Sequence, residues 1–146
     1  MHGATMKKAE YIAEAMLNTD KGIYFPQGIA GFSQARKFGL IYEGTGDIVC
    51  LQSVDYPEAA FLLTPWHEPR LGSEPELNRE QLQCMQVQNR SDVMWMLVLN
   101  PFADKQWVTA NLKAPIAVNT ETRIALQCIR SEPELNLRYH WMPQPG

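Results

Sequence analysis

Residues 108–119 place the tightest limit on the fold of this chain. Apolar and more polar side chains alternate as far as Leu112, as on a strand with one buried face. Pro115 then follows, which has no N–H to donate to a sheet, and the alternation restarts at Ile116. This pattern predicts a strand that bends or bulges at Pro115, at the corner of a closed or nearly closed sheet.

Further strands are expected on both sides of this corner, because short alternating or apolar runs are bounded by turn residues. The predicted strands are residues 23–25, 37–43, 47–53, 59–64, 93–99, 124–130 and 136–141, with one more starting at Trp107. Short links favour an antiparallel meander. The apolar run 93–99 is expected to be covered on both faces.

Helical signals are few. Ser33 is expected to cap one helical turn through Lys37, and Asn78 with Gln81 forms a capping pair for a short helix. Residues 66–77 are interpreted as a long surface loop. Residues 7–17 are ambiguous: their composition favours a helix, whereas their alternation fits a strand, which is the interpretation adopted here.

Three sequence blocks lie in a fixed order along the chain. They are Asn-Leu-Lys-Ala-Pro-Ile at 111–116 with Asn119, Thr122, Arg123 and Gln127; Phe-Pro-Gln-Gly-Ile-Ala-Gly-Phe at 25–32; and Leu-Gln-Ser at 51–53 leading through Asp55 to Ala60, Phe61, Leu62 and Pro65. Together they resemble the FliW family of flagellar assembly factors. The resemblance implies one FliW-like domain over residues 1–146: all-β, mainly antiparallel and β-barrel-like, with one or two short helices. Residues 1–8 and 142–146 are expected to be flexible.

Length and charge limit the function further. At 146 residues the chain suffices for one domain, and its formal net charge of -3 comes without any run of five like charges. A surface that tracks phosphates needs clustered Lys and Arg, so direct nucleic-acid binding is not expected. The longest apolar run is too short to span a bilayer, and no signal peptide is evident. A cytoplasmic protein without membrane association is therefore expected.

No catalytic or metal-binding pattern emerges. The three cysteines, Cys50, Cys84 and Cys128, lack the paired spacing of a metal or redox site. His67 and Glu68 begin like a zinc-protease helix, but the second histidine is missing. No enzyme, metal or cofactor is expected. The alternative left open is a small split-barrel enzyme or ligand-binding domain, for example one that holds a flavin.

Aromatic residues are expected to build most of the core. The members assigned to it are Tyr24, Phe25, Phe32, Phe38, Phe61, Trp95 and Phe102. The bend at Pro115 is also expected to leave a strand edge exposed, which would suit pairing with a partner. The partner-binding hypothesis names Asp55, Phe102, Asn111, Lys113 and Pro115. The same residues would equally serve only to build the barrel corner.

The family resemblance implies the partners. A FliW-like protein would hold newly made flagellin in the cytosol. Once free, it would bind CsrA, the RNA-binding repressor of flagellin translation, and relieve repression. The free protein is expected to be a monomer.

One hexapeptide occurs twice. Ser-Glu-Pro-Glu-Leu-Asn stands at 73–78 and again at 131–136. The identity does not continue on either side, so it does not indicate a structural repeat. Both copies are expected to be polar turns that lead into the next element.

Overall fold

The computed structural model describes residues 22–42 and 47–145, and within them a sheet of nine strands. The strands are β1 Ile23–Tyr24, β2 Lys37–Tyr42, β3 Val49–Ser53, β4 Ala60–Pro65, β5 Val93–Asn100, β6 Trp107–Ala110, β7 Ile116–Asn119, β8 Ala125–Gln127 and β9 Tyr139–Pro143. Two short helices, α1 Glu68–Leu71 and α2 Arg79–Cys84, and a 3₁₀ turn at Arg90–Asp92 complete the regular structure of this part. The predicted all-β class with short helices is confirmed.

The sheet is an antiparallel meander that forks. Strands β1 to β5 pair in chain order, and β5 then pairs with both β6 and β7. One branch continues from β6 to β9, and the other from β7 to β8. A single parallel bridge between Tyr24 and Ile124 brings β1 close to the second branch. The sheet is therefore open. It is barrel-like, as predicted, only in the sense that it is nearly closed.

The fork is formed by the segment around Pro115. Leu99 pairs with Ala110 and Met96 pairs with Ile116, so residues 97–98 of β5 lie opposite the longer segment 111–115. The strand thus bulges at the predicted place. The expected exposed edge is wrong, however, because the Cys128 N–H donates to the Pro115 carbonyl at 2.8 Å. Pro115 itself is fully buried.

Strand β5 is the centre of the core, as its apolar composition predicts. Met94 and Met96 pack on one side of the sheet with the cluster that contains Phe25 and Phe38. Trp95 and the odd-numbered residues beyond it contribute to two other clusters, on the opposite side. Successive residues therefore bury alternate faces, and both faces of this strand are covered.

Two predictions about local structure are wrong. The helical turn expected from Ser33 to Lys37 does not form, because Lys37 already begins β2 and its carbonyl accepts from the Val54 N–H at 2.9 Å. The loop expected at 66–77 contains α1. Pro69 does not prevent this helix, since it occupies the first turn, where no N–H is needed.

Two aromatic assignments are also wrong. Tyr24 and Phe102 are exposed instead of buried, because each stands at the end of a strand where the chain turns away from the sheet. By contrast, the capping pair Asn78 and Gln81 forms the predicted reciprocal capping box of α2.

Some predictions concern residues that the structure does not describe. The strand predicted at 7–17 and the flexible segment predicted at 1–8 lie outside the described part of the chain. Flexibility of the C-terminal residues stays a prediction, although Met142 and Pro143 are placed in β9.

Candidate functional site

Two turns lie together at one end of the sheet. Residues 54–59 join β3 to β4, and residues 101–106 join β5 to β6. Gln52 pairs with Ala60, and Leu62 pairs with Leu99, so the register brings both turns to the same end. Asp55 lies in the first turn and Phe102 in the second. The partner-binding hypothesis requires that its residues share one surface.

This end exposes apolar and acidic side chains side by side. Phe102 is 92% exposed, Val54 67% and Tyr56 38%. Asp55 and Glu58 are exposed in the same turn as Val54. We call these five residues the end surface. Large exposed apolar groups beside charged ones are typical of surfaces that bind other proteins.

The second turn is held by its own side chains. The Asn100 side-chain oxygen accepts from the Phe102 N–H at 2.8 Å. Asp104 Oδ1 accepts from the N–H groups of Gln106 and Trp107 at 2.7 and 3.1 Å. The hydrogen bond from Gln106 is the main cause that lowers the pKa of the Asp104 carboxyl below its usual range.

The remaining predicted site residues lie at the fork, beside the middle of β5, and not in either turn. The Asn111 side-chain oxygen accepts from the Lys113 N–H at 2.9 Å, and both residues are half-buried. Pro115 offers no accessible surface. The structure therefore places Asp55 and Phe102 at the same end of the sheet, and Asn111, Lys113 and Pro115 at the fork.

A cluster on β9 was missed from the sequence. The Arg70 guanidinium lies 4.1 Å from the ring centroid of Trp141 and 5.3 Å from that of Tyr139. It also donates to the His140 carbonyl at 3.0 Å. Arg70 precedes these partners by about half the chain, so no local spacing could have indicated the cluster.

Two cavities accompany the sheet. One of about 230 Å³ is rimmed by Glu74, Glu76 and Arg90. Another, of about 290 Å³, has Asp92 and Glu121 among its lining residues. Four carboxylates line these cavities against the one cation of Arg90, which disfavours a phosphate-bearing ligand such as the flavin of the alternative hypothesis.

The described residues add three findings. Within residues 22–42 and 47–145, no group of three or more His, Cys, Asp or Glu side chains is arranged to hold a metal. Burial raises the pKa of the Cys128 thiol to about 11, which keeps it protonated and unreactive. No helix in this part of the chain is long and apolar enough to cross a bilayer.

The sequence and fold match one family. The model of the FliW protein family matches residues 7–141. The chain belongs to the FliW family. A flagellar assembly factor FliW from Syntrophus aciditrophicus is 30% identical over 124 residues, which cover 80% of this chain and 75% of the relative. The corresponding factor from Geobacillus kaustophilus is 30% identical over 125 residues, with 84% and 85% covered.

The fold agrees with this assignment. A crystal structure of the flagellar assembly factor FliW superposes with a TM-score of 0.72 at 28% identity, covering 82% of this chain and 84% of the other. The resemblance noted from the three sequence blocks is thus confirmed. The open antiparallel sheet described above is the FliW fold.

Proposed function

We propose that this FliW-family protein is a cytoplasmic flagellar assembly factor that binds flagellin. When free of flagellin, it binds the translational repressor CsrA and antagonises it, which couples flagellin synthesis to export. The observation that carries the proposal is the family match over residues 7–141, together with relatives that are themselves flagellar assembly factors. No catalytic step is part of this function.

The end surface supports a binding role. Phe102, Val54 and Tyr56 expose apolar area that a protein partner would bury. Asp55 and Glu58 give this area a negative rim. Lys105, also exposed, is the cation of the adjoining turn. In this proposal Asp55 and Phe102 contact the partner. Asn111, Lys113 and Pro115 contribute through the fork that sets the sheet geometry.

Charge supports antagonism of an RNA-binding protein. The chain carries 13 basic and 16 acidic residues. An acidic protein attracts a basic partner and repels the RNA that competes for it. The factor can therefore weaken RNA binding without covering the whole RNA-binding face.

The test is binding of purified flagellin and purified CsrA, each measured by isothermal titration calorimetry, followed by competition between them. Both are expected to bind, and flagellin is expected to displace CsrA. Asp55→Arg is expected to weaken at least one of the two complexes about tenfold. Glu80→Arg, on the exposed face of α2, is the control for charge reversal. Wild-type protein that binds neither partner would contradict the proposal.

A further inference from the structure

The turn that carries Phe102 is tied to the C-terminal end of the chain. The Gln144 side-chain amide, Nε2, lies 2.6 Å from the Pro101 carbonyl oxygen and 3.1 Å from those of Asp104 and Trp107. Its two hydrogens are thus shared among three acceptors. The Gln144 backbone N–H also donates to the Gln106 carbonyl at 2.8 Å. One residue therefore holds both ends of the turn.

His140 adds a second tie from β9. Its imidazole stacks on the Trp107 indole, with ring centroids 4.8 Å apart and planes 10° from parallel. Its Nε2 atom lies 3.9 Å from Asp104 Oδ2. The other oxygen of Asp104 already accepts from two N–H groups of the turn. We call Asp104, His140 and Gln144 the brace.

This arrangement leaves one large side chain unsupported. Phe102 is 92% exposed, although hydrogen bonds hold the peptide bond before it and the Asp104 carbonyl two residues after it. A mobile turn would have to be ordered when a partner binds, at a cost in affinity. A fixed turn avoids that cost. An aromatic side chain on a rigid support has the properties of a binding hot spot.

We propose that the brace holds residues 101–106 in one conformation and so presents Phe102 as a preformed anchor. The partner is a protein with an apolar cleft that receives the ring and basic residues at the rim that face Asp55 and Glu58. Asp104, His140 and Gln144 are positioning residues and do not contact the partner. Because Gln144 lies beyond the residues that the family model matches, membership of the family does not by itself supply the brace.

The first test addresses the brace without any partner. Amide hydrogen exchange of residues 102–107 is compared between the wild-type chain and Gln144→Ala. Exchange in this turn is expected to be at least about tenfold faster in the variant, because three carbonyls lose their donor. Gln83→Ala, an exposed glutamine on α2, is the control and should leave the turn unchanged. Equal exchange in wild type and Gln144→Ala would overturn the brace.

The second test addresses the anchor and rests on the proposed function, since flagellin and CsrA are the probes. Phe102→Ala is expected to weaken at least one complex about tenfold or more, and Gln144→Ala by a smaller factor. In a double-mutant cycle, Gln144→Ala should have no further effect once Phe102 is alanine, because it acts through that ring. Ile129→Ala, 71% exposed but outside the end surface, is the matched apolar control.

The outcomes separate the two proposals. Wild-type binding that Phe102→Ala leaves unchanged would overturn the anchor and leave the proposed function intact. Additive losses from Phe102→Ala and Gln144→Ala would overturn the positioning role of Gln144. Wild-type protein that binds neither probe would contradict the proposed function, and the exchange measurement then decides the brace alone.

Discussion

At the scale of single residues, Gly28 occupies a position that no other residue fits. Its φ is +68°, and a Cβ built there would lie 2.6 Å from the Ser33 carbonyl oxygen. Gly31, with φ of +88°, has nothing within 4 Å of the same built atom. Both glycines satisfy a left-handed backbone, but only Gly28 also permits a close approach of two chain segments.

This difference predicts unequal costs of substitution. Gly31→Ala should lower the free energy of unfolding by about 1 kcal/mol, the cost of the left-handed conformation alone. Gly28→Ala should cost clearly more, about 2 to 4 kcal/mol, because a main-chain carbonyl must also move. Urea unfolding of the two variants measures this. Equal losses would show that the close approach is unimportant.

Asp104 gives the fold a dependence on acid. Hydrogen bonds from Gln106 and Trp107 favour its ionised form, so its pKa is lower in the folded chain than in the unfolded one. Such a group stabilises the fold above its unfolded pKa, and the contribution is lost as pH falls through the lower folded value. Asp104→Asn should therefore be less stable than wild type near pH 6, with the difference shrinking towards about pH 3.

Denaturant unfolding at several pH values provides the measurement for this prediction. Asp55→Asn, at an exposed position of the neighbouring turn, is the control. A stability difference between wild type and Asp104→Asn that is constant over the whole pH range would argue against a role of the ionised carboxylate.

Sequence reasoning succeeds at this scale where local backbone geometry decides. Gly28 and Gly31 stand in a short segment with a proline, and both have the positive φ that glycine permits. Phe102 was assigned to the core from its hydrophobicity, yet it is exposed. The sequence shows that Asn100 and Pro101 end a strand, but not which way the following turn faces relative to the sheet.

Among the elements, β7 depends on one buried polar side chain. Asn119 is 1% exposed, and its amide donates to the carbonyls of Met85 and Gln86 at 2.9 and 3.3 Å. Its oxygen accepts from the Glu121 N–H at 2.9 Å. The sequence did not indicate this link to the end of α2. Asn119 thus joins the second branch of the sheet to the helical segment.

Asn119→Ala is accordingly expected to lower the free energy of unfolding by about 2 to 4 kcal/mol, since buried backbone groups lose their partners. Asn111→Ala removes a local hydrogen bond from a half-buried residue and should cost only about 1 kcal/mol. Thermal or chemical denaturation compares the two variants. A loss at Asn119 no larger than that at Asn111 would contradict the linking role.

The duplicated hexapeptide shows how following residues determine an element. In the first copy Asn78 caps α2, because Gln81 supplies the returning side chain. In the second copy the Asn136 oxygen accepts from the Arg138 N–H at 2.8 Å, and the chain enters β9. Only the second copy contains a turn, in which the Leu135 N–H donates to the Glu132 carbonyl at 3.2 Å, so the expectation of two turns is wrong for the first copy. The element that follows each copy depends on the residues that come next.

Element types could be predicted from sequence more readily than element partners. Alternation located most strands, since one face of each is buried. The helix α1 was missed because residues 66–77 were interpreted as a loop, although Pro69 is compatible with the first turn of a helix. The fork could not be foreseen, because pairing of β5 with both β6 and β7 depends on distant residues.

At the scale of the whole molecule, the outer strand β9 is a sheet edge at which another chain could pair. It ends the path β5, β6, β9, and in the described sheet it pairs only with β6. Arg70 lies against this strand, stacked on Trp141 and bonded to the His140 carbonyl. A charged side chain at a sheet edge discourages pairing with another chain. Arg70 therefore favours the monomer that the sequence leads us to expect.

Removal of the Arg70 side chain from this edge should promote self-association. Arg70→Ala is expected to increase the dimer or larger fraction at high protein concentration, as measured by sedimentation velocity. Arg79→Ala, an exposed arginine on α2, controls for the loss of charge. Unchanged sedimentation of Arg70→Ala would show that the edge is blocked by other means.

The forked sheet has a consequence for how such a chain can change over time. Because the bulge opposite Leu97 and Val98 separates the two ribbons that leave β5, each ribbon keeps its own register. Insertions in the turn between β7 and β8 would alter one ribbon and spare the hydrogen bonds of the other. Sequence changes in either ribbon could thus create a new binding surface while the rest of the sheet keeps its structure.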